Sequence, residues 1–225
     1  MAALESKKMN TLDYKATGFI RWSLLDGHSE RCMSDKEVLL QVTSDHLNTG
    51  LRGVPVGTCL TSFVTPTEGV HYCGYPISEL ASFAPEDIIY LLFNKELPNA
   101  EQSKEIREEL SNRATIPGDL ESVLKSLPRD GHPMDWLSIG IHTLGMFETT
   151  NNWRDDAMNL VARMPRLMGL IFRIRDGRGE NIPTDDPTAS LVDRFVNTLD
   201  LTGVDKEKMT KVIATYLVLL SLIHI

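Results

Sequence analysis

The chain has 225 residues, 42% of them hydrophobic, and a formal net charge of −8 at pH 7. That length and composition fit a soluble globular protein with a real core. The acidic balance argues against a nucleic-acid surface, which needs clustered Lys and Arg. The densest basic group, Arg173, Arg175 and Arg178, is diluted by Asp176 and Glu180 and reads as a solvated helix end.

Residues 1–47 read as a weakly structured N-terminal segment holding short elements. Gly18–Gly27 has apolar residues between two glycines and suits a short strand. A helix is expected after Ser34, an N-cap with Glu37 as its capping-box partner. The N-terminus has no apolar core for a secretory signal and no Arg before Arg21, so no leader is expected and a cytoplasmic location is. Cys32, Cys59 and Cys73 form no CxxC pair and read as reduced thiols, the last two buried.

Gly53–Gly74 is the one convincing β region. Thr58, Thr61, Phe63, Val64, Val70, Tyr72 and Tyr75 favour strands, and Pro66-Thr67-Glu68-Gly69 supplies the turn of an antiparallel hairpin. Everything after Pro76 reads as helical. Prolines near first turns place helix starts at Pro85, Pro98, Pro117, Pro133 and Pro187, and Asp205 opens the last helix. Asn152–Arg175 is the longest helical stretch, with Pro165 expected to kink it. Pro133–Phe147 is apolar almost all round, so it is expected in a core or against another subunit. The fold class is therefore all-α with one small hairpin. The longest apolar run, around Ile213–Ile225, is too short to span a bilayer.

The chemistry-bearing residues do not converge. The histidines 28, 46, 71, 132, 142 and 224 show neither HExxH nor HxH spacing, so no metal site is expected. His142 reads as a packed core histidine, His132 as a cap before Pro133, and His71 as a surface position of a strand. Gly50-Leu51-Arg52-Gly53 and Gly177-Arg178-Gly179 match no phosphate-loop pattern. Glu108–Glu109 and Asp155–Asp156 read as solvated helix faces, and no cofactor is implied.

Four ordered segments do carry an identification: LRGVPVG followed by EGVHYCGYPISELA, then LPNAEQ, HPMD with an apolar helix ending TLG, and NLVARMP. Together, over roughly residues 48–219, they resemble citrate synthase. The resemblance implies a partial all-α large domain over 48–219 and a parent enzyme that condenses acetyl-CoA with oxaloacetate. It implies a homodimer through the Pro133–Phe147 helix and a place for Arg52 near the CoA phosphates; the competing reading of Arg52 is a loop residue bonding carbonyls. The family's two histidines and aspartate would lie beyond Leu219, so no catalytic residue is assigned here and the chain alone is expected to be inactive. Two alternatives are a 2-methylcitrate synthase, which uses propionyl-CoA, and a short non-catalytic paralogue acting as a dimerisation or regulatory partner. One encoding of Leu220–Ile225 reads as a transposase adapter from library preparation, so those residues are set aside from fold reasoning.

Overall fold

A computed structural model describes residues 38, 40–50, 52–55, 57–184, 186 and 188–220. The expected strand at Gly18–Gly27, the cap at Ser34 and residues 221–225 lie outside the described residues. The chain divides into two units, with the boundary between Leu60 and Thr61.

In the first unit, Val38 and Leu40–Thr43 are not helical, contrary to the helix expected from Ser34. Val38 and Val42 are exposed, so a helix here would have two of its apolar residues in solvent, and capping residues alone do not hold one. A short 3-10 helix, Ser44–Asn48, follows instead, with Thr43 and His46 exchanging capping-box bonds. Cys59 is exposed, which corrects the buried thiol expected there; it precedes the strands rather than lying on one.

The second unit begins with a three-stranded antiparallel sheet in the order β1 (Ser62–Thr65), β2 (Gly69–Tyr72), β3 (Tyr75–Pro76). The hairpin is shorter than Gly53–Gly74, and the third strand was not expected. Its register pairs Phe63 with His71 and Thr65 with Gly69. Among the described residues eight helices follow: α1 (Ile77–Leu80), α2 (Pro85–Asn94), α3 (Ala100–Arg113), α4 (Gly118–Lys125), α5 (Pro133–Phe147), α6 (Trp153–Arg175), α7 (Leu191–Leu199) and α8 (Lys206–Leu220).

Local chemistry explains most of these boundaries. Asn99 caps α3 by accepting from the N–H groups of Glu101 and Gln102, each at 2.9 Å, while Gln102 reaches back to the Asn99 N–H. The α7 start is set by Ser190, whose hydroxyl accepts from the Asp193 N–H, and not by Pro187. Helix α6 runs unbroken through Pro165; the ring leaves the Val161 carbonyl without its usual helical donor, yet the helix persists because both sides of it are packed.

The core has three parts. Leu120 and Leu124 of α4, Trp136 and Leu144 of α5, and Leu167, Leu170, Ile171 and Ile174 of α6 form the first. Ile106 and Leu110 of α3 meet Met158 and Ala162 of α6 and Leu191 of α7 in the second. Tyr72, Leu80, Ile88, Leu91 and Val218 join the sheet to α1, α2 and α8 in the third. Helix α6 is thus packed on several sides at once, and two glycines set how closely. A methyl group on Gly169 would sit 2.5 Å from Thr198 Cγ2 and 2.6 Å from Thr198 Cβ. Gly169→Ala therefore forces α6 and α7 apart, and we expect it to destabilise the unit by about 1–3 kcal/mol in a urea melt. Adding Thr198→Ala should not restore stability, because Cβ itself obstructs; a double variant as stable as the parent would disprove that account.

Candidate functional site

Arg52 belongs to the first unit and stands on a turn framed by Gly50 (φ 61°) and Gly53 (φ 78°), both in the left-handed region that favours glycine. Its N–H lies 3.4 Å from the Thr49 carbonyl, and the residue is exposed. A guanidinium presented on a glycine-bracketed turn can meet an anion through its bidentate fork.

In the second unit the larger cavity, about 1110 Å³, lies between the α1–α2 turn, α3, the start of α7 and α8. Its lining includes Glu86, Arg107, Glu108, Asp193, Arg194 and Lys211, but no histidine. Several of these side chains already do structural work. The buried Glu86 carboxylate accepts from the Leu191 N–H at 2.8 Å and so caps α7 from across the unit. Asp193 holds the hydroxyls of Ser190 and Thr210 at 2.6 and 3.0 Å. The Arg194 guanidinium, buried, donates to Ser111 Oγ at 2.7 Å. Beside the cavity, Asp87 accepts from Ser103 at 2.6 Å and pairs with Arg107 at 3.3 Å. In the sequence Glu86 and Asp87 are simply acids in the first turn of a helix, and nothing local reveals partners up to 105 positions away. At the cavity rim the Thr188 hydroxyl, then its N–H, hold the exposed Asp186 carboxyl below its ordinary value.

The described histidines are scattered among separate tasks. His46 takes part in the Thr43 cap. His132 caps α5, its Nδ1 accepting from the Met134 N–H at 3.2 Å, as expected. His71 is buried, not a surface residue: its ring stacks on Phe63 at 4.6 Å and its Nδ1 lies 3.3 Å from the Gly69 carbonyl. Alternation placed it outside, but the stacked Phe63 ring and the Glu68 side chain, 3.8 Å away, lie against the imidazole. His142 is exposed rather than packed in the core. No group of His, Cys, Asp or Glu among the described residues could hold a metal ion. No helix of the described residues is long and apolar enough to cross a membrane.

His142 is exposed because α5 is two-faced. Trp136, Gly140 and Leu144 face α4 and α6. The outer side presents Met134, Ile139 and Met146 to solvent, with Met146 86% exposed, and Phe147 is half-exposed at the helix end. Helix α8 likewise exposes Val212, Tyr216, Leu217 and Leu219 and buries only Val218.

The arginines at the end of α6 correct another expectation. They are not a solvated helix end. Arg173 is 4% exposed and donates to the Leu199 carbonyl at 3.2 Å and to the Asn181 carbonyl. Arg175 donates to the Gly131 carbonyl at 2.9 Å, and Arg178 to the Leu199 carbonyl at 2.8 Å. The carboxyl ends of α6 and α7 and the Gly177–Pro183 connection gather here, and their orphan carbonyls need donors. Asp155 and Asp156 are also engaged, with Arg113 at 3.1 Å and with the Thr150 hydroxyl at 2.7 Å.

Three comparisons bear on this arrangement. The family model described as "Citrate synthase, C-terminal domain" matches residues 50–221. Citrate synthase 4, mitochondrial, of Arabidopsis thaliana is 26% identical over 206 residues, covering 81% of this chain and 43% of that protein. The crystal structure of citrate synthase from Thermotoga maritima MSB8 superposes with a TM-score of 0.67 at 21% identity, over 78% of this chain and 47% of that one. The fold is thus that of a helical citrate synthase unit, and the chain spans less than half the length of these relatives.

Proposed function

The chain belongs to the citrate synthase family, and from that premise we propose that it is part of an enzyme condensing acetyl-CoA with oxaloacetate to give citrate and CoA. The observation that carries this reading is the match of the family model across residues 50–221, nearly the whole second unit and the turn bearing Arg52. Such a condensation needs groups that polarise the ketone, take a methyl proton and stabilise the enol. The described residues suit scaffolding instead: their histidines cap helices, stack in the hairpin or stand alone on α5. We therefore infer that these 225 residues by themselves do not turn over. Incubating the purified chain with acetyl-CoA and oxaloacetate and trapping free thiol should give no release above background; measurable release would sink that inference.

Arg52 is proposed to contact the CoA phosphates, on the strength of its exposure and its glycine-framed turn. In a catalytically active protein that carries this segment, Arg52→Ala should raise the KM for acetyl-CoA about tenfold with kcat little changed, as loss of a charge-assisted contact predicts. An unchanged KM would remove Arg52 from the site. Propionyl-CoA assayed alongside separates a 2-methylcitrate synthase from the primary reading.

We also propose that the outer face of α5 packs against its copy in a homodimer. Ile139 and Met146, seven residues apart, lie on one side of that helix, and an isologous contact sets one face against itself. Ile139→Glu with Met146→Glu should convert a dimer to a monomer in light scattering. A variant that stays dimeric while melting like the parent would place the interface elsewhere.

A further inference from the structure

A second cavity, about 410 Å³, opens beside the ends of α6 and α7 and the first turn of α8. Its walls carry Arg129, Arg175 and Arg178, one carboxylate, Asp176, and an apolar set that includes Phe172, Phe195 and Met209. That volume is within the range of small-ligand sites, as is the combination of an apolar lining with a few convergent charges. Three guanidinium groups against one carboxylate leave two positive charges on the lining. The carboxylate is already committed, since Asp176 Oδ2 accepts from Arg178 Nε at 3.1 Å. Asp200, farther along, pairs with Arg173 and Lys206.

The arginines are not equivalent. Arg175 and Arg178 each serve a backbone carbonyl, of Gly131 and of Leu199, which accounts for their presence without any ligand. Arg129 has no such account. Among the described residues it has no hydrogen-bond or ion-pair partner, and it is exposed at the cavity wall. Its Nη1 lies only 3.5 Å from where a Cβ on Gly177 would stand, so the guanidinium rests against the turn that closes α6. Below it, Phe172 and Phe195 meet edge to face with centroids 6.4 Å apart, giving an apolar floor. A planar donor fork without a partner, over an aromatic floor and beside two further arginines, is built to take a planar or tetrahedral oxyanion attached to an apolar body.

We propose that this cleft binds a phosphate monoester carrying an apolar or aromatic group, with Arg129 as the main anchor and Phe172 as the surface for the organic part. The two positive charges of the lining suit a dianionic phosphate better than a single carboxylate. Its lining does not include Arg52, and binding there does not depend on how the family's reaction is run.

Calorimetric titration of the 225-residue chain with phenyl phosphate, at low ionic strength, tests this. The expected result is saturable binding tighter than that of inorganic phosphate, weakened at least about tenfold in Arg129→Gln, whose lost side chain breaks no internal bond. Phe172→Ser should reduce phenyl phosphate to the affinity of inorganic phosphate and leave the latter unchanged. Undetectable binding, equal binding to the Arg129→Gln protein, or equal affinity for phenyl phosphate and inorganic phosphate would each overturn the proposal. The Arg129→Gln comparison stands even if the Phe172→Ser protein fails to fold.

Discussion

Trp136→Ala lowers the stability of the second unit by about 3–5 kcal/mol, the largest loss expected from a single core truncation here. Trp136 is 1% exposed and sits where α5 meets α4 and α6. Its indole N–H donates to the Pro128 carbonyl at 3.2 Å, so the same side chain fills the core and fixes the loop that leads into α5. Truncation opens a cavity next to Leu167 and Leu170, which are themselves held by α6 and cannot collapse into it. Against a total stability of about 5–15 kcal/mol for a domain, that loss is a large fraction. Trp136→Phe should recover much of the packing but not the bond to Pro128, falling between the two in a guanidinium melt. If Trp136→Ala melts within 1 kcal/mol of the parent, by about the spread of neutral surface changes, the α4–α5–α6 layer is not the centre of the core.

Arg173→Lys destabilises by about 3 kcal/mol despite keeping the charge, because two carbonyls lose a charged donor. The Arg173 guanidinium reaches Leu199, at the end of α7, and Asn181, in the connection between α6 and α7. A lysine ammonium is a single point and cannot hold acceptors on two chain segments at once. The partly exposed Asp200, 3.6 Å away, adds little, since solvent screens it. Hydrogen exchange at α7 should therefore speed up more than exchange at α3, which lies elsewhere on α6. Equal protection of both helices in the lysine variant would show that the arginine does not tie α7 down.

These two residues also mark how far a sequence can be read. Trp136 falls on an apolar helix begun by Pro133, and both the element and its burial follow from local pattern. Arg173 falls in a string of charges whose surroundings suggested water. Its burial depends on where α7 ends, a fact set by a helix stop twenty-six positions later. The same distinction holds elsewhere. The cap at His132 is legible because donor and acceptor are neighbours. Glu86 looked like any first-turn acid because its acceptor role is for α7. Helix α5 was read as buried all round because hydropathy records which residues avoid water, not whether a fold or a partner covers them. Of the candidate site, Arg52 stands in a legible glycine-framed segment; in the arginine cleft Arg175 and Arg178 are visible as a basic cluster, but nothing linear brings Arg129, more than forty positions earlier, beside them.

The bond from the Tyr72 hydroxyl to the Val218 carbonyl, 3.0 Å long and buried, has a consequence for how the molecule comes into being. It joins strand β2 to α8 across 146 positions. On a ribosome, the sheet emerges long before α8 exists. Leu80, Ile88 and Leu91 of α1 and α2 can pack on Tyr72 early, but its bond to Val218 can form only once α8 clears the exit tunnel. The hairpin is thus made early and sealed last. In a refolding experiment its amides should gain full protection only in the final phase, together with those of α8.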